Sequence, residues 1–109
     1  MIVLAGLFAI TLNSCKKNVI EDPRARIINT GTQKASVQIK TSNGNTININ
    51  NVDPSTSSAY SSYAAGQVTF TITVSSSNYV KILDIGSGYD YDIAIDANNN
   101  ITSISIRRN

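Results

Sequence analysis

"QVTFTITV", residues 67–74, decides how the chain is read. Val68, Phe70, Ile72 and Val74 alternate with Thr69, Thr71 and Thr73. Successive side chains of an extended chain point to opposite faces, so this stretch has one apolar face and one hydroxyl face. A helix would scatter both sets around its axis and bury neither. The same period recurs on either side. In "ASVQIKT" (35–41), Ala35, Val37, Ile39 and Thr41 share a face, and in "YDYDIAI" (89–95), Tyr89, Tyr91, Ile93 and Ile95 do. From Ala25 onward no helical period competes, and Asn, Gly and Ser punctuate the runs. Seven to eight strands are expected, at roughly 25–29, 34–41, 45–50, 57–63, 67–74, 79–85, 89–95 and 101–107. Many short strands with one wet face predict an all-β chain, a small sandwich or barrel.

Register arithmetic sharpens two hairpins. For "TSNGNT", a two-residue Asn43-Gly44 turn pairs Ile39 with Asn48 and wastes the apolar face. A three-residue loop, Ser42-Asn43-Gly44 with Gly44 left-handed, pairs Ile39 with Ile47 and Val37 with Ile49. Burial of these aliphatic side chains, at about 1.5–3 kcal/mol each, outweighs the turn preference. For "DANNN" (96–100), a two-residue turn at Asn98-Asn99 suits the tolerance of Asn for positive φ. It pairs Ile93 with Ile104, Tyr91 with Ile106 and Ile95 with Thr102, and sets Asp90 opposite Arg107 in an exposed ion-pair ladder. The turn "GSG" (86–88) leaves its register open.

The start of the chain has a different character. Ile2 to Leu12, "IVLAGLFAITL", has the length of a signal-peptide apolar region and falls short of the roughly 20 residues of a membrane span. It ends in Leu12-Asn13-Ser14-Cys15, which resembles the lipobox of bacterial lipoproteins. Sulfur is the nucleophile that accepts the diacylglyceryl group, and Cys15 is the sole cysteine in the chain. Two or three acyl chains, at about 0.8 kcal/mol per buried CH₂, make a near-permanent anchor. Residues 1–14 are therefore expected to be a lipoprotein signal peptide, 15–23 a tether, and 24–109 the folded domain. No acidic run follows Cys15, which favours the periplasmic side of the outer membrane over the cell surface.

"ARIIN" (25–29), "YAAGQVTFTI" (63–72) and "YDYDIAI" resemble a family of bacterial envelope lipoproteins of unknown function. That resemblance covers about residues 25 to 106. It implies an antiparallel sandwich of immunoglobulin-like or transthyretin-like type and a cell-envelope location. It brings no catalytic residues.

Composition excludes several chemistries. Nine Lys/Arg against seven Asp/Glu give +2, without a basic stripe, so no nucleic-acid partner is expected. There is no histidine, the commonest general base and metal ligand. "SCKK" matches the letter of a Ser-x-x-Lys motif at Ser14 to Lys17 but straddles the cleavage point. Asp96, Asn98 and Asn100 alternate like a calcium loop, yet Ile101 and Arg107 stand where Gly and Glu are required. The carboxylates Asp84, Asp90, Asp92 and Asp96 are expected to be wet, and Asp90 and Asp92 to titrate ordinarily. No catalytic residue, metal or cofactor is expected. Five tyrosines without a tryptophan raise the question of a glycan platform. Tyr89 and Tyr91 belong to the apolar stripe, which leaves Tyr60, Tyr63 and Tyr79 as candidate ligand-binding residues. The reading that best fits is a lipid-anchored, non-catalytic module that binds another envelope protein. A glycan-binding accessory lipoprotein and a structural spacer are the alternatives.

Overall fold

A computed structural model describes residues 21–108. The leader, Cys15 and the first part of the expected tether lie outside the described residues. Nine strands follow in order: β1 (Arg24–Thr30), β2 (Ala35–Lys40), β3 (Thr46–Val52), β4 (Thr56–Ser57), β5 (Ser61–Ser62), β6 (Gly66–Val74), β7 (Ser77–Ile85), β8 (Tyr89–Asp96) and β9 (Ile101–Arg107). They form two sheets. The first runs β4-β1-β8-β9 with β5 also on β1, and the second runs β3-β2-β6-β7. The chain is a small β-sandwich.

The alternating faces meet between the sheets. Val68, Phe70 and Ile72 of β6 with Val37 and Ile39 of β2 pack against Ala25 and Ile27 of β1 and Ile93 and Ile95 of β8. Tyr91 belongs to this core, and its hydroxyl accepts a hydrogen bond from the Gly86 backbone at 2.8 Å. The three-residue loop at 42–44 forms as expected. Ile39 pairs with Ile47 and Val37 with Ile49, and Gly44 sits at φ 88°.

Four expectations are corrected. The last hairpin pairs Ile93 with Ser103, Asp92 with Ile104 and Asp90 with Ile106, one residue away from the predicted register. Its loop is Ala97-Asn98-Asn99, with Asn99 at φ 64°. Asp96 Oδ1 accepts hydrogen bonds from the Asn98 and Asn100 backbones, both at 2.9 Å, and so selects the longer loop. Second, the stretch 57–63 is two short pairings on the outer edge of β1, shifted by one residue between them. Ser58 interrupts them: its Oγ accepts from Ile27 N at 2.9 Å while its N–H donates to Ile27 O at 2.8 Å. Third, the sandwich is not wholly antiparallel, because β1 and β8 pair in parallel, Arg24 beside Asp90 and Arg26 beside Asp92. Fourth, the tether does not run free to Pro23. Glu21 O accepts from Gly88 N at 2.9 Å, and Pro23 is fully buried with its carbonyl accepting from Tyr63 N at 3.0 Å.

Apart from 58–60, which runs along the edge of β1, the connections fall at two ends of the sandwich. The proximal end holds 21–23, 41–45, 63–65, 86–88 and Arg108. The distal end holds 31–34, 53–55, 75–76 and 97–100.

Candidate functional site

The outer face of the first sheet carries a charged lattice. Parallel pairing sets the outward residues of β1 level with those of β8, so each arginine meets an aspartate sixty-six positions away in sequence. Arg24 grips Asp90 through Nε at 2.8 Å and NH2 at 2.6 Å. Arg26 grips Asp92 through Nε at 2.9 Å and NH2 at 3.2 Å. Arg108 Nε approaches Asp90 Oδ1 to 3.2 Å as a third cation. Tyr60 closes the lattice. Its hydroxyl donates to Asp92 Oδ1 at 2.6 Å, and both guanidinium carbons lie near its ring, at 5.1 Å for Arg24 and 4.8 Å for Arg26.

These contacts overturn the expectation of wet, ordinary carboxylates. Asp90 is only 8% exposed. The Arg24 guanidinium bonded to Asp90 holds its carboxyl below the usual range, and Arg26, then Tyr60, do the same for Asp92. Donation to Asp92 stabilises the protonated phenol and raises the Tyr60 pKa. Bidentate, anionic and acceptor-only, the two aspartates act as struts between β1 and β8. The expected partner of Asp90, Arg107, stands instead opposite Tyr89.

The three candidate tyrosines do not share a surface. Tyr60 is spent on the lattice. Tyr63 lies in the core at 5% exposure, where burial raises the pKa of its phenol, so it is no surface residue. Tyr79 is half-buried on β7 and lines a cavity of about 160 Å³ at the distal end. Val74 and Ile95 line it with apolar groups, and Gln33, Ser77, Asp96 and Asn99 are among its polar lining.

A residue the sequence reading passed over holds that end together. Asn29 is buried, and its Nδ2 donates to Gln33 O at 2.7 Å and Val52 O at 2.9 Å. Its Oδ1 accepts from Gly31 N at 2.9 Å. A polar residue in line with Ala25 and Ile27, on the buried face of "RARIINT", is the available signal. Among the described residues no group of three or more His, Cys, Asp or Glu side chains is placed to hold a metal ion.

No family model matches the chain, and no curated protein matches it. Among solved structures, the C-terminal domain of AlgF from P. aeruginosa is similar, with a TM-score of 0.53 and 15% sequence identity over 81% of this chain and 99% of that one. At this identity the likeness is one of fold, and it agrees with the sandwich.

Proposed function

We propose that the protein is a non-catalytic interaction module of the bacterial cell envelope, held on the outer membrane by lipid on Cys15, and that a partner protein adds a strand to β9. The observation that carries this reading is the character of the β9 edge. β9 ends the first sheet, so one row of its backbone N–H and C=O groups has no neighbouring strand among the described residues. Its first six residues, "ITSISI" (101–106), hold no charge, no proline and no glycine. Natural sheet edges are usually blunted by such residues, and a β-branched, uncharged edge is a template for pairing. Ile104 and Ile106 point outward at 62% and 45% exposure, available to the side chains of an added strand. The other edge on that side, β7, has the half-buried Lys81 on its inward row and is the less inviting of the two.

The lattice supports the non-catalytic part of the reading. Asp90 and Asp92 are held anionic by arginines, so neither is poised near neutral pH to exchange a proton.

The test is photo-crosslinking in intact cells from positions Thr102 and Ile104, with Gln38 on the second sheet as reference. A discrete adduct from β9 alone, abolished by Ile106→Lys, is expected. Equal adducts from Gln38, or none from β9, would dismiss the edge. Fatty-acid labelling of the wild type and Cys15→Ala tests the anchor separately, and equal labelling would end that part of the proposal.

A further inference from the structure

The distal cavity has properties that the β9 edge does not use. Three connections converge on it: 31–33 after β1, 75–77 between β6 and β7, and 96–99 after β8. Its volume of about 160 Å³ is that of a single six-membered ring, since cavities near 150 Å³ accept one benzene. An extended peptide does not fit such a space. Val74 and Ile95 give the lining its aliphatic part, and Tyr79 adds an aromatic side chain.

The polar groups at the cavity are mixed in kind. Gln33 and Asn99 each carry an amide that both donates and accepts, Ser77 a hydroxyl, and Asp96 a carboxylate. Asp96 spends Oδ1 on its own loop, and Oδ2 takes no hydrogen bond from the described residues. Among the described residues no lysine or arginine lines the cavity, and Asp96 is the one charged side chain there. An anionic ligand would meet an acceptor without a counter-charge, which is costly. Two residues that line the cavity are also held in conformations that L side chains seldom adopt: Ser75 at φ 50° and Asn99 at φ 64°. Strain of this kind persists where a loop shape or a side chain is needed.

We infer that the distal cavity is a binding site for one uncharged sugar residue, whose apolar ring face lies against Tyr79 and whose hydroxyls meet Asp96, Asn99 and Ser77. A sugar ring has this duality, with C–H groups on a face and hydroxyls, each donor and acceptor, around its edge. The free oxygen of Asp96 accepts from a hydroxyl, and the Asn99 amide donates to the next. The site shares no residue with β9, so either assignment can fail without the other.

The full chain in detergent micelles is titrated with the methyl glycosides of glucose, galactose, mannose and N-acetylglucosamine, followed by amide chemical shifts. Methyl glucuronide and arginine methyl ester are titrated in parallel. At least one neutral glycoside should saturate in the millimolar range, moving the amides of Gly31, Ser77, Asp96 and Asn99. Asn99→Gly suits the positive φ and keeps the loop, so it should weaken binding about tenfold through the lost amide alone. Tyr79→Ala should weaken it at least as much. The glucuronide should bind about tenfold more weakly than its neutral counterpart. The assignment is overturned if no neutral glycoside produces a saturable shift by roughly 50 mM. It is equally overturned if shifts fall outside the distal loops, if Asn99→Gly leaves affinity unchanged, or if the glucuronide or the arginine ester binds as tightly.

Discussion

The two ends of the sandwich solve the same backbone problem with different residues. At the proximal end the residues with positive φ are glycines: Gly44 at 88°, Gly66 at 123° and Gly88 at 86°. At the distal end they are Asn51 at 58°, Ser55 at 65°, Ser75 at 50°, Ser76 at 68° and Asn99 at 64°. For an L residue the left-handed region costs about 1–2 kcal/mol, less for Asn, and glycine avoids it. Crowding explains one proximal case. A Cβ on Gly66 would lie 2.8 Å from Ser42 Cβ, where Ser42 Oγ donates to Ala65 O at 2.7 Å and ties two loops together. A Cβ on Gly44 or Gly88 would meet nothing within 4 Å among the described residues, so conformation alone explains them. The proximal end is built for low strain and cross-linking. The distal end keeps side chains where glycine would be cheaper, and two of its five positive-φ residues, Ser75 and Asn99, border the cavity.

Gly66→Ala should have the largest effect, since backbone strain and overlap with Ser42 add to about 3 kcal/mol in urea denaturation. A loss under 1 kcal/mol would mean that the proximal loops yield, and the contrast would rest on conformation only. Next come the proximal ion pairs. Asp90 and Asp92 have folded pKa values below the ordinary aspartate value of 3.8, so their stabilisation is fully present above about pH 4 and is lost as pH falls below that and through the lowered folded values. Asp90→Asn should reduce stability at pH 7 and flatten the loss on acidification towards pH 3. An unchanged pH profile would remove Asp90 from the proximal framework.

Gly88→Ala tests conformation without overlap and should cost about 1 kcal/mol, clearly less than Gly66→Ala. At the distal end the sign reverses. Ser75 and Ser76 form a two-residue hairpin turn with both φ positive, the geometry that Asn-Gly prefers. Ser75→Asn combined with Ser76→Gly should raise the denaturation midpoint by the equivalent of about 0.5–1 kcal/mol. No gain would show that the serine hydroxyls, one of them bonded to Gln33, offset the strain. The smallest effect belongs to Ile104→Ala. Its side chain is 62% exposed, so the change should fall within about 0.5 kcal/mol, whereas the register expected from sequence would make it a core truncation of about 2–5 kcal/mol.

The hairpins show why some of this was legible and some was not. β3 is an edge strand, as β9 is, but its Ile47 and Ile49 pack against the core, so the demand that β2 and β3 bury their aliphatic residues selects the right loop. Applied to β8 and β9, the same demand selects the wrong one. On β9 the inward row is taken by Ser103 and Ser105, opposite Ile93 and Tyr91, while Ile104 and Ile106 face water. The clue was Asp96, a side chain able to accept two backbone N–H groups and hold a longer loop. The distal cavity was half legible: Tyr79 was a candidate, while Asn29, Gln33 and Ser77 carry no local mark of belonging together. The lattice was misread, since Asp90 and Asp92 were noticed and their partners were not.

By itself the sequence determined that the chain is a set of strands, where most of them begin and end, and which side of β6 and β2 faces the core. It could do so because strand periodicity is a property of consecutive residues: the covalent chain turns each side chain to the face opposite its neighbour's. Tertiary structure alone decided that β1 lies parallel to β8, that Arg24 and Arg26 therefore claim Asp90 and Asp92, that Tyr63 is core and that Tyr79 borders a cavity. Those outcomes depend on which strand lies alongside, and β1 and β8 are sixty-six residues apart with no local signal in between. Period tells each strand that it has two faces, and only the neighbouring strand or sheet makes one of them dry.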